Sequence, residues 1–182
     1  MATVDPSKGP VEVYNNVFLR AGYGTPIAGH GFFSCFYSPG GTNLGAPGTG
    51  TVELYNNTMI NCGNAAAGDG WTAAVVNGGQ NPKLALRLRN NIVVASPGVP
   101  YTPVGPLVGS NNLFFGGTGA AQSSLTATIA ADPRFASSTD FHLTQASPAV
   151  DRGIATGVTL DFDGAPRPAG AALDLGAYEF RP

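Results

Sequence analysis

The sequence alternates apolar and polar residues over short stretches, and each of these stretches ends at a pair of asparagines. A second apolar stretch follows each asparagine pair. This phrase occurs four times, at residues 11–16, 52–57, 86–91 and, in a degraded form, 107–112. Alternation with a period of two predicts β-strands, and asparagine is a common turn residue. Each phrase therefore predicts a strand, a corner and a second strand.

The asparagine pairs follow one another at irregular distances of 41, 34 and 21 residues. A constant phrase at variable spacing is typical of a solenoid, in which insertions enter the loops between repeated strands. The alternative is four unrelated hairpins with asparagine-rich turns, but the strands on both sides of the turns also match. We therefore predict one all-β solenoid domain, 1–182, with coils over about 10–120 and a last coil and C-terminal cap over about 121–182.

Aligning the four phrases places equivalent residues above one another. The first asparagine of each pair lies in phase with the apolar face, and these residues are Asn15, Asn56, Asn90 and Asn111. A buried amide needs hydrogen-bond partners, which a column of stacked asparagines provides. With this asparagine ladder, residues 10–120 resemble the pectate-lyase-like superfamily of right-handed parallel β-helices. The resemblance implies that fold but no single activity, because the fold carries lyases, hydrolases, adhesins and tailspikes alike.

The last fifty residues contain short motifs in a fixed order. They are D-P-R-F at 132–135, D-F-H-L at 140–143, S-P-A-V-D-R-G at 147–153, D-F-D-G-A-P-R-P at 161–168 and L-D-L-G-A-Y-E-F at 173–180. This series resembles the closing segment of bacterial surface or secreted β-helix proteins of the choice-of-anchor kind. The resemblance implies an extracellular or cell-surface protein. No signal-peptide pattern opens the chain. Because it begins almost directly on a strand phrase with no N-terminal cap, we interpret it as the C-terminal part of a longer secreted protein, or as a short natural relative of one.

The composition agrees with this fold class and excludes other classes. The 26 glycines and 15 prolines leave no stretch of a dozen residues with uninterrupted helical periodicity. Charged residues make up 11% of the chain and the net charge is −2, so no basic surface for nucleic acid is expected. No apolar run approaches the length of a membrane span.

The two cysteines, Cys35 and Cys62, are compatible with one disulfide. We favour free buried thiols instead, because β-helix cores absorb small apolar residues. The residues between the last asparagine phrase and the C-terminal motifs, 116–128, are small and predict a linker.

The first strand phrase begins close to the N terminus, so an unpaired strand edge is expected there. Such an edge exposes backbone donors and acceptors that need partners. We predict that residues 1–10 cover this edge or that two chains form a homodimer through it.

Polar side chains on the outward face of the strands are the best candidate for a functional surface. Coils stack about 4.8 Å apart, so equivalent residues form rows across the strands. One row is Glu12, Glu53 and Arg87; the next is Tyr14, Tyr55 and Arg89, with Lys83 at the edge. Two stacked carboxylates match the separation of about 5–5.5 Å in retaining glycosidases. The basic and tyrosine side chains fit a polysaccharide lyase, which neutralises a uronate and removes its α-proton. The alternative is a solvated face with cross-strand pairs.

A second polar cluster lies near the C terminus. Asp161 and Asp163 offer two oxygen ligands on one loop, which suits calcium, the one cofactor that the sequence suggests. We favour a structural role, in which Arg167 binds a carboxylate and ties the chain end to the coils. Of two isolated histidines, His30 is a minor catalytic candidate and His142 is expected to pack within its motif.

Two functions are compatible with these features. The first is a secreted carbohydrate-active enzyme, a polysaccharide lyase or glycoside hydrolase acting on an acidic polysaccharide. The second is a non-catalytic adhesin or glycan-binding module, which the tail motifs and the lack of a converging acid–base set favour. A polysaccharide or glycan is the expected partner in both.

Overall fold

A computed structural model describes residues 9–22, 34–38, 50–67, 72–77, 84–101, 107–119 and 124–182. Within these ranges the chain is all-β, with parallel strands, no α-helix and one 3-10 turn at Ala65–Ala67. The strands are β1 Val11–Tyr14, β2 Val17–Leu19, β3 Phe36–Ser38, β4 Gly50–Tyr55, β5 Thr58–Cys62, β6 Val75–Asn77, β7 Leu84–Arg89, β8 Ile92–Ala95, β9 Leu107–Ser110, β10 Leu113–Phe115, β11 Leu125–Thr126 and β12 Ile129–Ala130.

The strands that precede the asparagine corners form the first sheet, in the order β1-β4-β7-β9-β11. Equivalent positions of successive phrases pair directly, so that Val13 lies beside Leu54 and Leu54 beside Leu88. Leu54 and Leu88 are fully buried because this face of the sheet forms the main core. Gly109 continues the column, and a Cβ there would lie 1.9 Å from the Leu88 carbonyl oxygen, so only glycine fits.

The strands that follow the corners form a second sheet, in the order β2-β5-β8-β10-β12. A third, shorter sheet pairs β3 with β6 in parallel. This sheet is extended by a backbone hydrogen bond from Val75 N to Tyr101 O and by a parallel bridge between Pro100 and Thr118. In each of the three sheets, neighbouring strands therefore follow the order in which they occur along the chain.

A fifth repeat unit that the sequence did not reveal begins inside the predicted linker, 116–128, and ends two residues beyond it. β11 pairs with β9, and β12 pairs with β10, both in parallel. Ala127 has a φ of 48° and Thr128 follows it, where the other units carry the asparagine pair. Without asparagines the unit has no recognisable corner signal, which is why residues 116–128 read as a linker.

Each asparagine corner depends on left-handed backbone at the first residue of the pair. Asn15, Asn56, Asn90 and Asn111 have φ values of 53°, 52°, 55° and 56°. Asparagine tolerates this conformation better than most residues with a Cβ, because its short side chain bonds locally. The first asparagine therefore makes the turn between the first and second sheets.

The hydrogen-bonded ladder is formed by the second asparagine of each pair, which corrects the prediction that assigned it to the first. Asn16 Nδ2 donates to Asn57 Oδ1 at 3.0 Å, and Asn57 Nδ2 donates to Asn91 Oδ1 at 3.0 Å. Asn91 Nδ2 continues the row to Asn112 Oδ1 at 2.9 Å. Because the first residue turns left-handed, the second one points into the core, a change that strict alternation does not foresee.

The first asparagines instead bind the C-terminal segment, residues 131–182. The side-chain Nδ2 groups of Asn111, Asn90 and Asn15 donate to the carbonyl oxygens of Arg152, Ile154 and Leu160, respectively. The segment thus runs along the corners from the fourth unit back to the first. It covers one side of the stacked strands, whereas the sequence predicted a C-terminal cap.

This segment also covers the outward face of the second sheet. Ile92 and Leu113 pack with Leu143 and Leu175 in one buried cluster. Ile60 packs with Tyr178 in another. Around β8 the second sheet is therefore covered on both faces, which explains why Ile92–Ala95 is continuously apolar rather than alternating.

The cysteines form a disulfide, so the preference for free thiols is wrong. Cys35 precedes β3, Cys62 ends β5, and their Cα atoms are 5.0 Å apart. The bond joins the first repeat unit to the second across the main core. The two residues are far apart in the linear pattern, and only the stacking of the units brings them together.

Candidate functional site

The predicted rows exist on the outward face of the first sheet. Glu12 pairs with Glu53, and Glu53 pairs with Arg87. In the neighbouring row Tyr55 pairs with Tyr14 on one side and with Arg89 on the other. We call these six residues the Glu/Tyr/Arg face. Lys83 and His30, the other two basic candidates, lie outside the described residues.

Glu53 is held by two arginines. Its Oε1 accepts a hydrogen bond from Arg87 Nη1 at 3.3 Å, and its Oε2 accepts one from Arg89 Nη2 at 3.1 Å. The Glu53 side chain is only 11% exposed. Both oxygens therefore accept charged hydrogen bonds from guanidinium groups, so the carboxylate is already occupied.

The tyrosine row is a stack. The rings of Tyr14 and Tyr55 are 5.0 Å apart between centroids and nearly parallel, and the Arg89 guanidinium lies 5.5 Å from the centre of the Tyr55 ring. Burial, together with the charge of Glu12 and a hydrogen bond to it, raises the pKa of Tyr55 to about 12. Tyr55 therefore keeps its proton at neutral pH and is a poor candidate for a catalytic base.

Solvent reaches only part of the Glu/Tyr/Arg face. The Arg87 side chain is 52% exposed and Tyr14 is 46% exposed, whereas Tyr55 is buried. Arg89 is intermediate, with 31% of its side chain exposed. The face thus presents guanidinium edges, the exposed Glu12 and one aromatic ring, while Glu53 and Tyr55 are buried between their neighbours in the two rows.

Both predicted calcium ligands already have partners: Asp163 Oδ2 lies beside His142 Nε2, and Asp161 binds backbone N–H groups. Asp161 Oδ1 accepts bonds from the backbone N–H groups of Asp163 and Ala165, and its Oδ2 accepts one from Glu179 N–H. A carboxylate filled in this way shapes the loop rather than coordinating a cation. Among the described residues, no group of three or more His, Cys, Asp or Glu side chains is arranged to hold a metal ion.

Arg167 takes the structural position that the sequence analysis favoured. Its Nη1 donates to Glu179 Oε1 at 2.8 Å, and both side chains are completely buried. Its Nη2 donates to the Gly176 carbonyl and to Asn15 Oδ1. Arg167 therefore links the C-terminal segment to the first corner of the coils.

His142 lies between two carboxylates, which the sequence reading missed. Its Nδ1 lies 2.5 Å from Asp140 Oδ1 and its Nε2 lies 2.7 Å from Asp163 Oδ2. Hydrogen bonds to Asp163 and to Asp140 raise the pKa of His142. Its ring packs on Tyr178 at 4.2 Å, beside a cavity of about 320 Å³. The Asp-x-His spacing was the available signal, but Asp163 lies 21 residues away and only folding adds it.

No family model and no curated protein matches the chain. Within the described residues, none of the helical turns has the length and apolar character that crossing a membrane requires. Any functional assignment therefore rests on the two clusters described above.

Proposed function

We propose that the parallel sheets form a right-handed parallel β-helix of the pectate-lyase-like kind. Three observations support this. The sheets take their strands in the same chain order, equivalent phrases pair in register, and one asparagine column follows the corners. The C-terminal segment then acts as a lateral brace of the coils. In this architecture the Glu/Tyr/Arg face is a flat, rigid surface that extends across three coils.

We further propose that this face binds an acidic polysaccharide without cleaving it. The observation that carries the proposal is that Glu53 forms ion pairs with Arg87 and Arg89, both of which are partly exposed. Arg87 and Arg89 offer planar donor edges to the carboxylates of uronate residues. The exposed ring of Tyr14 offers an amphipathic platform beside them. Rows about 4.8 Å apart suit an extended, repeating ligand.

The geometry favours binding over the lyase or hydrolase alternative. A retaining glycosidase needs one carboxyl group as an acid and one as a free nucleophile. Here Glu53 is occupied by two arginines, and Tyr55 keeps its proton because its pKa is raised to about 12. A cleaving enzyme would need these contacts to break when substrate binds.

The experiment is a panel of acidic and neutral polysaccharides tested against the full chain. Binding is measured by affinity electrophoresis or calorimetry, and cleavage by reducing-sugar and unsaturated-uronate assays. We expect binding of acidic polymers that weakens with added salt, and no turnover. Arg87→Ala should weaken binding about tenfold or more, because a charged hydrogen bond is lost.

Arg152→Ala is the matched control, since Arg152 is an exposed arginine of the C-terminal segment away from this face. It should bind like the wild type. Turnover that Glu53→Gln abolishes would establish the enzyme instead. If Arg87→Ala and Arg152→Ala bound the polysaccharide equally well, the Glu/Tyr/Arg face would not be the binding site.

We also propose an extracellular or cell-surface location. The Cys35–Cys62 disulfide supports it, because disulfides persist mainly in oxidising compartments. Thiol titration of protein purified under non-reducing conditions should find no free thiol before denaturation or after it. Two titratable thiols in the denatured protein would contradict the disulfide and with it this argument.

A further inference from the structure

The outward surface of the first sheet continues beyond the arginines. Arg87 pairs with Val108 in the next unit, Arg89 pairs with Ser110, and Ser110 pairs with Thr126 in the fifth unit. Val108 is 41% exposed, and Thr126 is exposed as well. The fourth and fifth units therefore extend the rows of the Glu/Tyr/Arg face with one apolar side chain, two hydroxyl groups and no charge.

Charge along the rows is confined to the first three units and changes sign between them. Glu12 lies in the first unit, Glu53 in the second, and Arg87 and Arg89 in the third. The two glutamates balance the two arginines, so the face has no net formal charge. A polymer with a negative charge on every residue therefore gains little attraction from the face as a whole, although each arginine attracts a single anionic group.

Glu12 is the carboxylate of this face that a ligand meets. Glu12 is exposed, whereas the Glu53 side chain is nearly buried. Both arginines bond Glu53, and Glu12 forms no ion pair within the described part of the chain. The Tyr55 hydroxyl group donates a hydrogen bond to Glu12, which holds this carboxylate on the outward face. Glu12 therefore presents uncompensated negative charge to a ligand that crosses the first unit.

The stacking distance keeps the acidic and basic ends of the face apart. Neighbouring coils are about 4.8 Å apart, so Glu12 and Arg87 are separated by about 10 Å across the rows. This separation exceeds the screening length of about 8 Å at physiological salt concentration, so Arg87 does not cancel the charge of Glu12. Two like charges in direct contact repel each other even in water. A ligand carboxylate is thus favoured at the third unit and disfavoured at the first.

The surfaces on either side of the arginines suit neutral sugars. In the first unit, the exposed ring of Tyr14 offers an apolar platform, and Glu12 offers oxygen acceptors for sugar hydroxyl groups. In the fourth unit, Val108 offers an apolar contact and Ser110 offers a hydroxyl group. Neither of these two rows of side chains offers a cation to a uronate.

We infer that the face selects an acidic polysaccharide whose charged residues are separated by neutral ones, and that Glu12 determines this specificity. The inference rests on the proposed binding of acidic polysaccharide at this face. The ligand runs across the coils, with one carboxylate at the third unit and neutral residues over the units on either side. A polyuronate with a carboxylate on every residue places one of them over Glu12. It binds more weakly, because an unpaired like charge discriminates against the wrong ligand.

The test compares two oligosaccharides that differ in charge density. One is an oligoglucuronate of fixed length, and the other is the same oligomer with half of its carboxylates reduced to neutral hydroxymethyl groups. Calorimetry on the full chain should show tighter binding of the partly reduced oligomer. Glu12→Gln keeps an acceptor for Tyr55 and removes the charge. It should raise the affinity for the unreduced oligomer about fivefold, which is the effect of contact repulsion between unit charges in water, and should raise the other affinity much less.

Asp140→Asn is the matched control for net charge. It removes the same charge from the C-terminal segment, where the neighbouring Phe141 packs with Ile60 of the second sheet. The preference between the two oligomers should stay that of the wild type. Val108→Lys adds a cation one coil beyond Arg87 at an exposed position, and it should favour the unreduced oligomer.

Two kinds of failure are distinguishable in this experiment. If neither oligomer bound, or if Arg87→Ala left the binding of both unchanged, the proposed function of the face would be wrong and the inference would fail with it. If both oligomers bound through Arg87 but Glu12→Gln kept the wild-type preference, the face would bind acidic polysaccharide without this selectivity. That result would overturn the inference alone.

Discussion

Two arginine–glutamate clusters in this protein have the same chemistry and opposite surroundings. Glu53 bonds Arg87 and Arg89 on the open face of the first sheet, where Arg87 is half exposed. Arg167 and Glu179 bond each other within the C-terminal segment, where neither side chain reaches solvent. The difference is the second layer of chain, which covers one cluster and leaves the other open.

The comparison shows that burial, and not residue type, separates a cluster that is open to solvent from a structural link. An exposed arginine keeps donors available for a ligand, and its ion pair adds little stability. The buried Arg167 has both Nη groups committed within the protein, and losing either member of the pair leaves an uncompensated charge. The predictions below test this contrast, starting with the largest expected effect.

Arg167→Ala should lower the free energy of unfolding by about 3–5 kcal/mol, because Glu179 then remains buried without its cation. Arg87→Ala, the control on the open face, should lower it by no more than about 1 kcal/mol. Urea denaturation of both variants measures the difference. Similar losses in the two variants would mean that the two clusters do not differ as their burial indicates.

Gly176→Ala tests how closely the C-terminal segment approaches the second sheet. Gly176 has a φ of 89°, and an added Cβ would lie 2.6 Å from Thr58 Oγ1. We expect a loss of about 2–4 kcal/mol from strain and crowding. Gly157→Ala is the matched control, because Gly157 has a φ of 83° but nothing within 4 Å. It should lose only the backbone part, about 1–2 kcal/mol, in the same thermal or urea experiment.

Asp174 gives the buried region a pH dependence in the acidic range. Burial raises the pKa of Asp174 from 3.8 to about 6. Because the folded state holds this proton more tightly than the unfolded state, the contribution of Asp174 to stability is complete below pH 3.8. It falls by up to about 3 kcal/mol as the pH rises to about 6. Asp174→Asn should flatten this part of the stability–pH profile relative to the wild type. Parallel profiles in urea denaturation between pH 4 and 6 would contradict the assignment.

The repeated phrase was enough to predict the parallel register of the first sheet. Val13, Leu54 and Leu88 lie in one column because alternation and spacing are local properties. The ladder was predicted one residue too early, since the left-handed turn at Asn56 reverses the phase of the next side chain. Local patterns thus predict which residues stack but not how a corner redirects them.

The contacts of the C-terminal segment could not be read from the sequence. Asn15 bonds Leu160, 145 residues away, and His142 bonds Asp163 across two motifs. The Cys35–Cys62 disulfide also depends on stacking that brings separate units together. Such pairings arise from tertiary packing, and no periodicity in the chain encodes them.

The smallest expected effect concerns His142, which is intermediate between the two surroundings because its side chain is 45% exposed. Hydrogen bonds to Asp163 and Asp140 raise its pKa above 6.5. Its contribution to stability is therefore complete below pH 6.5 and is lost as the pH rises through the folded-state value. Solvent screening limits the contribution to about 1 kcal/mol or less.

His142→Gln should therefore be less stable than the wild type at pH 5.5 and nearly equal to it at high pH. Asp163→Asn, which removes one partner and keeps the histidine, should reduce the same difference without abolishing it, since Asp140 remains. Chemical denaturation of the three proteins between pH 5.5 and 8.5 measures both effects. The window lies above that of Asp174, so the two groups are separable in one titration. A His142→Gln deficit that grows with pH would show that the histidine acts through packing on Tyr178 rather than through its charge.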